Sequence, residues 1–143
     1  MTFRDIRAAL TALLLGLGDG CKVVKGDVRE PVVRPAYKLD VLPGESGAAC
    51  DGARERAAEI DIWFYPKNKD RPLDECTAAA ERLTSALDGG FSAGGVWLTP
   101  DDAITIDLSD GVLVCQLAVT WYETAAETGE VMETLVYDGE ELS

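Results

Sequence analysis

Few of the residue types that carry out catalysis or bind metals occur here in patterns that support either role. The 143 residues include no histidine, which removes the commonest general acid or base near neutral pH and the commonest metal ligand. The four cysteines are too far apart along the chain to form the C-x-x-C pair of a zinc or redox site. We expect all four to be reduced thiols of a cytosolic protein: Cys21, Cys50, Cys76 and Cys115.

Two pairs of aspartates are the remaining candidates for chemistry, because neighbouring carboxylates can bind a hard cation. Asp101 lies beside Asp102, and Asp107 lies near Asp110. Neither spacing matches the ligand positions of an EF-hand loop, and turn or capping roles explain these residues better. The sequence therefore predicts no metal site, no cofactor and no enzymatic activity. An enzyme that depends on carboxylates or cysteine is kept as an alternative.

Charge is distributed very unevenly along the chain. Residues 1–40 carry seven Lys or Arg and five Asp or Glu, whereas residues 41–143 carry six and twenty-one. The last basic residue is Arg82, and twelve carboxylates follow it. Such a surface repels phosphate over about 8–10 Å in physiological salt, and it lacks the bases whose counterion release drives DNA binding. The acidic part therefore avoids nucleic acid, imitates it, or lines a passage along which it must not stick.

The first element is predicted to be an amphipathic core helix. Thr2 can cap it together with Asp5, and the glycines from Gly16 onward end it. Its apolar face consists of Phe3, Ile6, Leu10, Leu13, Leu14 and Leu17. No run of 18 or more apolar residues is present, so the sequence predicts no membrane-spanning helix.

A second helix is predicted after Pro72, a residue suited to the first helical position. Asp74 and Glu75 favour the positive end of that helix, and Asp88-Gly89-Gly90 ends it. Its apolar stripe is predicted to be Leu73, Cys76, Ala80, Leu83 and Leu87.

The rest of the chain is predicted to form strands and loops. The extended segments are Cys21–Val24, Arg34–Leu42, Arg54–Tyr65, Val96–Leu98, Ala103–Leu108, Leu113–Tyr122 and Val131–Tyr137. Asp110-Gly111 is a strong hairpin signal, whereas Glu45–Asp51 and Thr124–Gly129 are predicted to be loops.

Alternation within these strands separates two faces. Ala58, Ile60, Ile62 and Phe64 are predicted to point inward, opposite Glu59, Asp61, Trp63 and Tyr65. Likewise, Tyr37, Leu39 and Val41 lie opposite Lys38 and Asp40. Residues 1–143 are therefore predicted to form a single α+β domain, in which two main helices pack on a mostly antiparallel sheet.

Several segments, in their order and spacing, resemble those of the phage tail terminator family. They are Thr2–Ile6, Arg34–Tyr37, Val41–Pro43, Asp61–Pro66, Glu75–Leu87, Asp110–Leu113 and Met132–Leu135. The resemblance covers nearly the whole chain. It implies a structural protein of the virion tail, assembled in the host cytoplasm, and not an enzyme.

The resemblance also implies an assembly and its partners. Tail terminators of long-tailed phages form a ring, generally of six subunits, on the head-proximal end of the tail tube. The ring stops polymerisation of the tube protein and joins the head-tail connector protein. DNA passes through its centre without being specifically bound, and no membrane is involved. An acidic lumen suits that passage, because it does not hold phosphate.

Two sets of residues are candidates for these contacts. Carboxylates in loops that project from the sheet are expected to face the lumen, because the apolar faces are committed to the core. These are Asp101, Asp102, Glu123, Glu127 and Glu130. The candidate subunit interface consists of Trp63, Tyr65, Lys67, Lys69 and Arg71. Local packing of the aromatic residues, a solvated basic turn and carboxylates that only keep the surface soluble remain open as alternatives.

Other functions from different classes also remain open. An acidic inhibitor that mimics DNA would explain the charge, but it would not explain the order of the family-like segments. Another component of the phage neck is a further alternative. A DNA mimic is expected to be a monomer or dimer, so native mass distinguishes it from a ring.

Overall fold

The computed structural model describes residues 1–17, 20–25, 33–48 and 52–124. These parts of the chain contain two helices and eight strands. The helices are α1 (Phe3–Leu15) and α2 (Leu73–Leu87). The strands are β1 (Lys22–Lys25), β2 (Ala36–Pro43), β3 (Gly47–Ala48), β4 (Ala53–Tyr65), β5 (Phe91–Ala93), β6 (Val96–Leu98), β7 (Thr105–Ser109) and β8 (Val112–Thr124). The predicted α+β class is confirmed, with two helices and a mostly antiparallel sheet.

One sheet contains most of the strands, in the order β1-β2-β4-β8-β7. Strand β1 pairs with β2 in parallel, whereas every other neighbouring pair in this order is antiparallel. The short strand β3 also pairs with β4, near the start of that strand. Strands β5 and β6 form a separate two-stranded sheet. Both helices pack on the same face of the main sheet, α1 against β1 and β2, and α2 against β4 and β8.

The core lies between that face and the two helices. Alternation places the predicted apolar residues of β2, β4 and β8 inside it, including Trp121, which is 3% exposed. The other residues that these three strands contribute to the core are Tyr37, Leu39, Val41, Ala58, Ile60, Ile62, Phe64, Leu113, Cys115, Leu117 and Val119. The residues that alternate with them along each strand lie on the other face of the sheet, because successive side chains of a strand point to opposite faces.

Helix α1 begins with the predicted capping box. The backbone N–H of Thr2 donates to Asp5 Oδ2 at 2.9 Å, and the N–H of Asp5 donates to Thr2 Oγ1 at 3.2 Å. The helix buries Ile6, Leu10 and Leu14 and ends at Gly16. Within the described ranges, no helix is long and apolar enough to cross a membrane.

Helix α2 differs from its prediction at its first turn. Pro72 is the N-cap residue, one position before the helix, and Leu73 is 62% exposed although it was predicted to be in the apolar stripe. Ala79 is fully buried, whereas Ala80 is only partly buried, so the stripe is slightly rotated from the predicted one. Leucines in the second half of the helix, Leu83 and Leu87, are fully buried as predicted.

The hairpin between β7 and β8 has the predicted turn. Asp110 and Gly111 have φ angles of 54° and 75°, the left-handed conformation that a two-residue type I′ turn requires. Strand β7 begins and ends slightly later than the predicted segment Ala103–Leu108.

Two other parts of the sheet were predicted incorrectly or missed. Strand β5 was missed, because its three residues are too short to show a period. The predicted loop Glu45–Asp51 contains β3, since backbone pairing with β4 overrides the glycine-rich composition.

Some predictions fall outside the described residues. These are the strand Val131–Tyr137, the loop beyond Thr124, Cys50, Glu127 and Glu130. The other cysteines are buried thiols: Cys21, Cys76 and Cys115.

The buried positions of α2 and β8 predict the effects of leucine truncation. Leu83→Ala or Leu117→Ala should lower the free energy of unfolding by about 2–5 kcal/mol, because each removes buried methyl groups and leaves a cavity. Leu73→Ala is the matched control and should change it by less than about 0.5 kcal/mol. Urea unfolding curves measure all three. Equal losses at Leu73 and Leu83 would show that the assigned faces of α2 are wrong.

Candidate functional site: an acidic sheet face

The face of the main sheet opposite the helices carries most of its carboxylates. Alternation along β2, β4 and β7 places acidic side chains there, next to half-exposed or exposed neighbours. We call this surface the acidic face and define it by Asp40, Glu55, Glu59, Asp61 and Asp107. Of the described strand residues on this face, only Lys22 and Lys38 are basic.

Carboxylates crowd together near the centre of the acidic face. Asp40 and Asp61 are directly paired across β2 and β4, and Glu59 precedes Asp61 by two residues on the same side. Gln116 Nε2 on β8 donates to Asp61 Oδ1 at 3.3 Å. Burial raises the pKa of Asp61, the hydrogen bond from Gln116 partly offsets this, and the charges of Asp40 and Glu59 raise the pKa further. The surface therefore disfavours additional negative charge.

The predicted loop carboxylate Asp101 is attached to this same face. Its backbone N–H donates to the carbonyl of Ala118 at 2.8 Å, and its Oδ2 accepts from Thr120 Oγ1 at 2.6 Å. Thr120 lies on the helix-free side of β8, by alternation with the buried Val119 and Trp121. Asp102 follows in the same exposed bend.

Glu123 contradicts the prediction that it lies in an exposed loop. It is in β8, its exposed fraction is 7%, and it points to the helix side of the sheet. Its carboxylate accepts from Arg56 at 3.1 Å and from Trp121 Nε1 at 3.2 Å, and the amine of Met1 lies 3.7 Å away. Strand β8 continues through Glu123 because β4 pairs with it down to Ala53.

The partners of Glu123 determine its charge. Burial alone raises the pKa of Glu123, but the hydrogen bond from Trp121 and the positive charge of Arg56 outweigh burial and hold the pKa below its ordinary value. Arg56 also lies over the rings of Phe3 and Trp121, at 5.1 and 5.5 Å. Glu123 therefore joins α1 to the sheet and is not available as a lumen charge.

The candidate interface residues occupy different environments. Trp63 lies on the acidic face in an interior strand, with Lys38 Nζ 4.5 Å from its ring centroid. Tyr65 lies opposite the apolar residues of β4, as alternation predicts, but it is only 6% exposed, and the Arg34 guanidinium lies 5.3 Å from its ring centroid. The basic side chains are exposed in the loop before α2: Lys67, Lys69 and Arg71.

That basic loop has a defined backbone. The N–H groups of Lys67 and Asn68 donate to the carboxylate of Glu75 at 2.8 and 3.0 Å. The Asn68 side chain in turn accepts from the N–H groups of Asp70 and Arg71. A role for this loop at a subunit contact stays a prediction.

The acidic face was missed by the sequence prediction although its signal was present. Alternation had already assigned Asp40, Glu59 and Asp61 to the side opposite the apolar residues. The predicted lumen carboxylates lie in loops, so the prediction does not include this face of the sheet. Polar residues at every second strand position are the signal that identifies it.

The described cysteines are poorly suited to nucleophilic chemistry. Burial and the nearby charge of Asp61 raise the pKa of Cys115 to about 11, and burial raises the pKa of Cys76. Among the described residues, no group of three or more Cys, Asp or Glu is arranged to hold a metal ion. Within the described residues, the arrangement provides a charged surface.

The chain is similar in sequence to a known protein family. The sequence model of a family described as "Phage tail terminator protein" matches residues 5–130. No curated protein matches the chain in sequence. A solved structure whose title states no function is 15% identical, covering 85% of this chain and 94% of its own, with a TM-score of 0.47.

The burial of Asp61 and the neighbouring charges of Asp40 and Glu59 predict a pH-dependent effect of Asp61→Asn. Because the folded-state pKa is raised, ionised Asp61 destabilises the fold above that pKa, and protonation relieves the cost as the pH falls below it. Asp61→Asn should therefore raise the free energy of unfolding at pH 7, and the gain should shrink towards about pH 4. Urea unfolding at both pH values measures this. The exposed control Asp102→Asn should have little effect, and a loss of stability in Asp61→Asn at pH 7 would contradict the account.

Proposed function

The chain belongs to the phage tail terminator family, and we propose that it forms a ring that caps the head-proximal end of a phage tail tube. As a member of this family it is a structural component of the virion tail and interacts with other tail components. In the proposed role, six copies close the ring, stop polymerisation of the tube protein and offer the surface that joins the head-tail connector protein.

The proposal includes an orientation: the acidic face lines the lumen of the ring. Its support is the contrast between the two faces of one sheet. The helix side is filled by α1 and α2, while the other side bears five carboxylates on strands and the anchored Asp101. In a narrow channel such charges repel a phosphate backbone, and few bases are present to hold it. DNA then passes through without binding.

Burial raises the pKa of Asp61 most, and the charges of Asp40 and Glu59 raise it further, so the acidic face has a cost in stability. Three carboxylates within one pair of strands cost stability when all are ionised, and a sheet that needed only solubility would gain nothing from this crowding. A surface selected to repel a polyanion tolerates that cost. The family match carries the capping role, and the concentration of carboxylates on the helix-free face is the observation that carries this orientation.

Deleting the gene tests the capping role. Tails assembled without a terminator should vary in length and grow beyond the normal limit, because nothing stops addition of the tube protein. Electron micrographs of purified tails measure the length distribution, and expression of the intact gene in trans is the control. Tails of normal length and normal joining to heads in the deletion would overturn the proposal.

Charge reversal on the acidic face tests its orientation. Glu55→Lys combined with Glu59→Lys should leave the fold nearly unchanged, because both side chains are exposed and such charges contribute only about 0–1 kcal/mol. The variant should bind DNA in a salt-sensitive manner once assembled, and it should slow genome ejection. Filter binding at low and high salt and ejection kinetics measure these effects.

The matched control places the same charge change on α2. Asp74→Lys combined with Glu81→Lys alters two exposed carboxylates on the helix side of the molecule. It should eject DNA at the normal rate, because that side faces outward in the proposed ring. Equal effects of the two double variants would contradict the orientation. Stable monomers that bind a DNA-binding protein, with normal tails in the deletion, would favour a DNA mimic instead.

A further inference from the structure

We infer that the ring closes by pairing the edge strand β1 of one copy with the edge strand β7 of the next, so that one sheet continues around the lumen. The inference rests on the proposed function, because it requires a ring with the acidic face inward. If the sheet faces the lumen with its strands along the ring axis, its two edges face the neighbouring copies. The partner at each edge is therefore a second copy of this chain.

Both strands are edges in the described structure. The order β1-β2-β4-β8-β7 places them at opposite ends of the sheet, and no described strand pairs with the outer side of either one. An edge strand exposes a row of backbone N–H and C=O groups that can pair with another chain. The two strands are also similar in length, with four and five residues.

Strand direction favours the pairing. Strand β1 runs parallel to β2, and three antiparallel pairings then lead from β2 through β4 and β8 to β7. Strand β7 therefore runs opposite to β1. Rotation about an axis along the strands preserves these directions, so β7 of the neighbour lies antiparallel to β1. Antiparallel pairing is slightly more stable per residue than parallel pairing.

The two edges also lie at the same level of the sheet. Following the pairs across the sheet, Val24 is level with Lys38, Trp63, Val114 and Asp107. Val23 is level in the same way with Leu108. If the neighbour is related by rotation alone, with no rise along the axis, its β7 therefore lies directly beside β1 of the first copy. Contacts related by rotation without translation close into a ring, whereas a rise would produce a helix.

Side chains at the two edges complement each other on both faces. On the helix-free side, Lys22 of β1 would lie diagonally across from Asp107 of the neighbour, within reach of an ion pair. On the helix side, Val23 would lie beside Leu108, which is 42% exposed in the single chain. No described residue of β7 is basic, and β1 contains no acid.

An apolar groove beside β7 is also left for the neighbour to cover. It has a volume of about 260 Å³ and lies between α2 and the β7–β8 hairpin. Its lining includes Leu73, Cys76, Ala80, Ile106, Leu108 and Leu113. Leu73, exposed in the single chain, is at its rim, and contact with the neighbour at β7 would reduce the exposure of this surface.

Disulfide trapping tests the pairing directly. Val24→Cys combined with Asp107→Cys places one thiol on each edge at the same level. Within one copy the two positions are four strand spacings apart, about 19 Å, too far for a disulfide. Across the proposed junction they face each other at about 5 Å between Cβ atoms, close to disulfide geometry. Mild oxidation of full-length protein assembled on tail tubes should give a covalent ladder on non-reducing gels, ending at the ring size.

Two controls separate this contact from chance collisions and from the native cysteines. Each single cysteine variant should give no ladder beyond the background of the native thiols. Val24→Cys combined with Gln116→Cys should also give none. Gln116 is exposed on the same face, but it lies one strand inside the edge, about 10 Å from β1 of the neighbour.

A charge exchange provides a second test that needs no cross-link. Lys22→Glu or Asp107→Lys alone should raise several-fold the protein concentration needed to assemble the ring, because each places like charges across the junction. The double variant should restore assembly, since it re-forms the pair with its signs exchanged. Native mass spectrometry and electron microscopy of capped tubes measure both.

The outcomes separate the inference from the function on which it rests. A ladder with charge rescue supports the edge pairing. Rings in micrographs without a ladder, or with no rescue by the double variant, would overturn the edge pairing and leave the capping role intact. Absence of rings, together with normal tails after gene deletion, would overturn the proposed function and the pairing with it.

Discussion

The long antiparallel pairing of β4 with β8 is the constraint on which the rest of the structure depends. It joins twelve successive residue pairs, from Ala53 with Thr124 to Phe64 with Leu113. A shift by one residue would exchange the two faces, placing Asp61 in the core and Ile60 in water. Burial of the apolar set fixes this register. The same register gathers the carboxylates on the side that the helices leave open.

Much of this arrangement follows from local sequence signals. Strict alternation predicted the inward residues of β2, β4 and β8, and the Thr2–Asp5 pair predicted the start of α1. Prediction failed where pairing partners distant in the sequence decide the result. The local sequence predicts that Glu123 lies in a polar loop. Its burial is possible because Arg56 on the neighbouring strand β4 and Trp121 on the same strand β8 both donate hydrogen bonds to its carboxylate. Its spacing predicts that Leu73 is a core residue, but Leu73 lies in the first turn of α2, at the rim of a groove.

Family membership indicates the class of protein, whereas the faces and edges of the sheet indicate how it could act. Membership identifies a structural protein of the phage tail. The sheet suggests how such a protein serves that role, with one face filled by helices, one face acidic, and two edges that run in opposite directions at the same level. Net charge alone does not distinguish one acidic loop from another. Burial removes Glu123 from the candidate lumen residues, while hydrogen bonds attach Asp101 to the acidic face.

The central claim is that the helix-free face of the sheet lines the channel of a ring. A cryo-electron microscopy reconstruction of tails capped by this protein tests it most directly, because helices and sheets can be distinguished in such a map. The account predicts a closed ring in which sheets surround the lumen and both helices lie outside, with Asp61 facing the channel. A ring whose channel is lined by α1 or α2, with the sheets facing outward, would contradict it.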